Sequence, residues 1–199
     1  MQELTGDGTA TFHFIHGPCE AVPPEGFESF FGKPPYFRFI EPDDPDSEDT
    51  DVLNRIRDFP QCETPEQAMR ELMKEGVASC IRSTYGAIMF LYNVMHEQGP
   101  FDGIIGYSEG ATVAATLLLH EQVMADRKGY KPMFKYGVFF GGWPPMDPDT
   151  FRLVLSDETD LRIQVPTCHI SECLPPSFPS PRVFLTERSE DRGPGGAAP

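Results

Sequence analysis

Apolar positions along this chain fall into two periods, and the alternation between them outlines its elements. From Thr84 to His96, the residues Tyr85, Ile88, Phe90, Leu91, Val94 and Met95 recur at helical spacing. That spacing predicts one amphipathic helix packed on a sheet, stopped by Gly99-Pro100. Gly103 to Ile105 then reads as a short buried strand, and Ala111 to Met124 as a second helix whose Ala111, Ala114 and Ala115 permit close packing. Tyr136 to Phe140 (YGVFF) is the next buried strand, and Leu161 to Ile170 returns to the sheet with a turn at Val165-Pro166. Upstream, TFHFI at Thr11 to Ile15 has the aromatic and β-branched content of a strand. Thr64-Pro65-Glu66 opens a helix-prone segment that runs to Glu75, and Asp147 to Leu155 can begin another helix. Strands alternating with helices predict an α/β fold, a mostly parallel sheet with helices on both faces. The flanks differ: residues 1–10 read as a flexible start and 171–199 as a tail without regular structure. That tail is rich in Pro, Ser, Gly and charge, and its one apolar cluster is Val183-Phe184-Leu185. Residues 11–170 form the predicted domain.

The densest chemistry lies in FDGIIGYSEGATVAATLLL, Phe101 to Leu119. Here Gly106-Tyr107-Ser108-Glu109-Gly110 matches G-x-S-x-G between a strand and a helix, the pattern of a nucleophile elbow. Such a turn puts the serine in a strained backbone region, and a Cβ on either flanking glycine is expected to clash. Ser108 is the candidate nucleophile. The backbone N–H of Glu109, at the start of the helix, is the candidate oxyanion donor. The plainer reading of Ser108 is an ordinary helix N-cap.

Context on both sides resembles the fungal and animal family of small serine hydrolases, which includes ovarian tumour suppressor candidate relatives. Gly99-Pro100-Phe101-Asp102-Gly103 leading into Gly106 to Ala111 is similar to that family's GPFDG and G-F-S-Q-G-A, and Val165 to Ile170 is similar to its V-P-T-L-H-V. FKYGVFFGGWPP, Phe134 to Pro145, and FHFIHGPCEAVPP, Phe12 to Pro24, carry the likeness further. The resemblance implies an α/β-hydrolase fold and hydrolysis of a carboxylic ester or thioester through an acyl-serine. The substrate it implies is a small-molecule acyl compound, or an acyl chain held by a polyketide synthase carrier domain in fungal secondary metabolism. It implies no cofactor. His16-Gly17 could be read as an oxyanion loop, but the prolines after it resemble the loop following the family's second strand. On that alignment the first strand, the first helix and the loop giving a second oxyanion donor are missing, and the fold is trimmed at both ends.

An acyl-serine enzyme needs a base, and a group to orient that base. The family places an aspartate shortly after the strand matching Pro166 to Ile170, and a histidine later still. Here Ser171 to Pro176 offers no aspartate, and no histidine follows His169, which matches a structural strand position. Glu172 could replace the acid, but nothing replaces the base. His96 reads as a helix-end residue, and His120 lies about 18 Å along the helix from Ser108 at 1.5 Å per residue. An inactive hydrolase-like protein that binds an acyl ligand or a synthase partner is therefore the second reading. Trp143 has two readings: lining an acyl pocket or capping the core.

Composition narrows the partners. A formal net charge of -15 argues against nucleic acid and anionic membrane. The acidic run Glu41 to Asp51 lacks calcium-loop spacing and its central glycine, and reads as a solvated surface loop. Cys168, His169 and Cys173 could ligate zinc, but strand alternation points the first two to opposite faces, so no metal is predicted. The five cysteines are scattered, which suggests reduced thiols and a cytoplasmic setting.

Overall fold

A computed structural model describes residues 5–22, 26–41, 67, 70, 81–150, 152–171 and 182–185. In chain order its elements are β1 (Cys19–Ala21), α1 (Glu28–Phe31), β2 (Tyr36–Arg38), α2 (Ile81–Gln98), β3 (Gly103–Tyr107), α3 (Glu109–Lys128), β4 (Tyr136–Phe140), β5 (Thr167–Ser171) and β6 (Arg182–Leu185). The main sheet has the order β3-β4-β5-β6, and β1 and β2 form a separate two-stranded antiparallel ribbon. β3, β4 and β5 run parallel, with Ile104 opposite Gly137 and Phe139 opposite His169. β6 is antiparallel to β5. The sheet is thus mostly parallel, of the expected α/β kind.

One face of this sheet makes the core. Ile104 and Gly106 on β3 share a face with their partners Gly137 and Phe139 on β4, and α3 lies against both strands. A Cβ on Gly137 would come within 2.9 Å of a Leu118 methyl, so helix and strand approach closely there. α2 packs beside α3 through Ala87, Ile88, Leu91 and Met95, which join one cluster with Val113, Leu117, Leu118 and Phe139. Every residue of α3 from Ala111 to Leu119 is buried; the sheet covers the helix on one side and α2 packs beside it. The opposite face of β3 is open: Ile105 is 49% and Tyr107 68% exposed. The expected buried strand is therefore buried on one face.

Three other expectations are corrected. Thr11 to Ile15 belongs to neither sheet, although its composition suits a strand. A strand is stabilised by the neighbour it pairs with, and intrinsic preference alone does not supply one. The described residues between Asp147 and Leu155 form no helix. The Asp147 carboxylate accepts the N–H groups of Asp149 and Thr150, and Met146 bridges to Leu153. Asp-Pro favours such a side-chain-closed turn over a helical start. Within the segment expected to lack regular structure, Arg182–Leu185 forms β6. Its three consecutive apolar residues, one aromatic and one β-branched, suit a strand once an edge is available. The predicted helix from Thr64 and the acidic run after Glu41 lie outside the described residues, apart from Gln67 and Arg70.

Candidate active site

β3 ends at Tyr107, and α3 starts at Glu109, leaving Ser108 alone at the turn. Its backbone has φ 52° and ψ -121°, the one positive φ among described non-glycine residues. An ordinary N-cap residue has extended φ/ψ and turns its side-chain oxygen onto the helix N–H groups. Ser108 does neither, since its hydroxyl makes no capping hydrogen bond. The turn is held from the backbone instead. Ser108 donates its N–H to Phe140 O at 2.8 Å and accepts Ala111 N–H at 3.0 Å. An exposed hydroxyl, held at the carboxyl end of a parallel strand by main-chain bonds alone, has the geometry of a nucleophile elbow.

The two flanking glycines differ in what they do. A Cβ on Gly106 would lie 2.4 Å from Ala111 Cα and 2.6 Å from Gly110 O, both backbone atoms that cannot yield. On Gly110 a Cβ would sit 3.6 Å from the Phe39 ring, an ordinary contact. The steric demand expected at both flanks therefore holds for the first glycine only.

The loop after β4 is tied to the first turns of α3. Trp143 donates its N–H to Thr112 Oγ1 at 2.8 Å, and Met146 donates to Thr116 Oγ1 at 3.0 Å. Thr116 in turn donates to the Thr112 carbonyl at 2.8 Å. Two hydroxyls one helical turn apart thus fix Gly141 to Met146 beside the elbow. Neither threonine stands out in the sequence, since both sit inside an apolar helix pattern. Trp143 is half-buried, and this contact is made by its backbone.

Three of the five histidines are hydrogen-bonded to groups other than Ser108. His120 Nδ1 is hydrogen-bonded to Tyr92 OH at 2.9 Å, and burial lowers its pKa. His169 packs on the Phe139 ring, with Nε2 3.3 Å from Thr167 Oγ1, and burial lowers its pKa too. His16 stacks on Phe37 and turns Nδ1 to Gly17 O. His13 lies against Phe101 before β3, and His96 is exposed in the last turn of α2, as its place in the helix suggested. Among the described residues no group of three or more His, Cys, Asp or Glu could hold a metal ion, and no helix is long and apolar enough to cross a membrane.

Comparison with known proteins places the chain in a family. The profile of a family described as serine hydrolase (FSH1) matches residues 1–171. Esterase FUS5 of Gibberella fujikuroi is 29% identical over 159 residues, which cover 79% of this chain and 50% of that protein. Esterase FUS5 of Gibberella moniliformis is 34% identical over 100 residues, 50% of this chain and 37% of the relative. Esterase alnB of Emericella nidulans is 42% identical over 74 residues, 36% of this chain and 25% of the relative. The chain thus spans half or less of the length of these relatives. No solved structure matches it. With the family profile covering residues 1–171, and a G-x-S-x-G turn in elbow geometry within them, the chain belongs to the FSH1 serine hydrolase family.

Proposed function

We propose that this chain carries the nucleophile of a carboxylic ester or thioester hydrolase, and that Ser108 is that nucleophile. The observation that supports this most directly is the φ of 52° at an exposed serine with no capping bond. Strained geometry of this kind persists only where the surrounding structure enforces it, and it clusters at working sites. In the reaction, Ser108 Oγ attacks the acyl carbonyl carbon and gives up its proton to a base. The Glu109 N–H, at the first position of α3, faces the developing oxyanion. Collapse expels the alcohol or thiol and leaves an acyl-serine, which water hydrolyses to the acid. The substrate is a small acyl ester or thioester, free or carried on a polyketide synthase carrier domain, in keeping with relatives named as fungal esterases. Cys19 and Cys168 are free thiols, which suits a reducing cytoplasm.

A second reading has its own observation. His16, His120 and His169 each hydrogen-bond elsewhere, His13 packs on Phe101, and His96 sits in the last turn of α2. A chain without a base would hold an acyl ligand or a synthase partner without turnover. Intact-mass measurement after treatment with a fluorophosphonate separates the two readings. One adduct per chain, lost in Ser108→Ala, is the outcome expected of an activated serine. A folded chain that gains no mass would leave only the binding reading.

A further inference from the structure

Among the described residues the ribbon of β1 and β2 pairs with no further strand, so no strand ladder among them fixes it to the main sheet. Its end is fixed by a side chain of the elbow. Phe39 donates its N–H to Glu109 Oε2 at 2.7 Å and Ile40 donates to Oε1 at 3.4 Å, across some 70 residues of chain. Arg38 Nε lies 3.9 Å from the same carboxylate and donates to the Ile40 carbonyl at 2.5 Å. Glu41 then donates its N–H to Ser83 Oγ on α2 at 2.6 Å. The Phe39 ring lies over Gly110, close enough that a Cβ there would touch it at 3.6 Å. The residue following the nucleophile therefore also grips the segment that runs past the elbow.

We infer that the Glu109 carboxylate is a latch, a positioning residue that holds Arg38 to Glu41 beside Ser108 and makes Phe39 a wall for the acyl chain. A carboxylate suits this task because both of its oxygens accept, matching two adjacent N–H donors. An amide offers one acceptor, and turns its NH₂ toward the second donor. The wall role rests on the acyl-serine reading, whereas the latch stands independently of it.

Amide hydrogen exchange on the full chain tests the latch in wild type, Glu109→Gln and Glu109→Ala. The Phe39 and Ile40 amides are expected to exchange about tenfold faster in Glu109→Ala, and by a smaller factor in Glu109→Gln. Unchanged protection within α3 and β4 certifies that each variant is folded. Labelling rates with a short-chain and a long-chain alkyl fluorophosphonate test the wall. Releasing the latch is expected to slow the long probe several-fold more than the short one. Unchanged exchange at Phe39 and Ile40 overturns the latch. Faster exchange with an unchanged ratio of probe rates overturns the wall. A wild-type chain that neither probe labels removes the acyl-serine reading and the wall with it, and exchange still decides the latch.

Discussion

Ile104 and Phe14 are both apolar residues in strand-like stretches of this chain, yet one packs into the core and the other is 75% exposed. Ile104 lies in β3, which pairs with β4 along five residues and is roofed by α3. Phe14 lies in Thr11 to Ile15, which pairs with no strand, and its ring meets Phe12 at 6.2 Å. The strand-turn-helix from Gly103 to Lys128 is thus supported from two sides by sheet and helix. The described residues between Thr11 and Glu41 are attached by side-chain bonds at Glu109 and Ser83, by Phe39 and Ile40 packing on the core, and by His13 against Phe101. The same preference for extended backbone becomes stable structure only where a partner buries it.

The sharpest way to break that comparison is to cut into the two regions and compare the losses. Leu117, fully buried on α3, is expected to cost about 4 kcal/mol as Leu117→Ala in urea unfolding. A loss below about 1 kcal/mol would mean the α3 core is not the stabilising unit described above. Next in size is the elbow. Gly106→Ala forces a Cβ onto the Ala111 backbone, so about 3 kcal/mol is expected, with fluorophosphonate labelling lost as well. An active and stable Gly106→Ala chain would contradict the close approach.

Thr116→Val tests how the loop after β4 is held. It leaves the buried Met146 N–H without its acceptor, for about 2 kcal/mol. A neutral result would show that the loop is placed by packing rather than by the two hydroxyls. The pH dependence is smaller. Burial lowers the His120 pKa, offset in part by Asp149, so between its folded value and 6.5 the unfolded chain binds more protons. The stability from keeping His120 neutral is complete above pH 6.5 and is lost as pH falls through that window. The melting temperature should therefore drop between pH 7 and pH 5, and less steeply in His120→Gln. Equal slopes would remove His120 from the account. The smallest effects are expected in the weakly attached region: Phe14→Ala should stay within about 0.5 kcal/mol of wild type. A loss near that of Leu117→Ala would erase the distinction between the regions.

Local pattern made some of this architecture legible. Helical spacing of Ile88, Leu91 and Met95 marked α2, which forms over Ile81–Gln98, and the apolar run YGVFF marked β4. The G-x-S-x-G turn was readable because its demands are met within five neighbouring residues. The Thr112 and Thr116 hydroxyl contacts and the Glu109 carboxylate bonds were not readable, since their partners lie some 30 and 70 residues away. Nor was β6, whose short apolar cluster needed the free edge of β5 before it could count as a strand.

By itself the sequence determined the periodic elements, the position of Ser108 between strand and helix, and the family resemblance, because each depends on residues close together in the chain. Tertiary structure alone decided that the Ser108 N–H finds Phe140 O, that Gly110 faces the Phe39 ring without a clash, and that Thr11 to Ile15 stays unpaired. Those outcomes depend on which distant backbone arrives at each position, and a hydrogen bond or a steric contact exists only once both partners are in place.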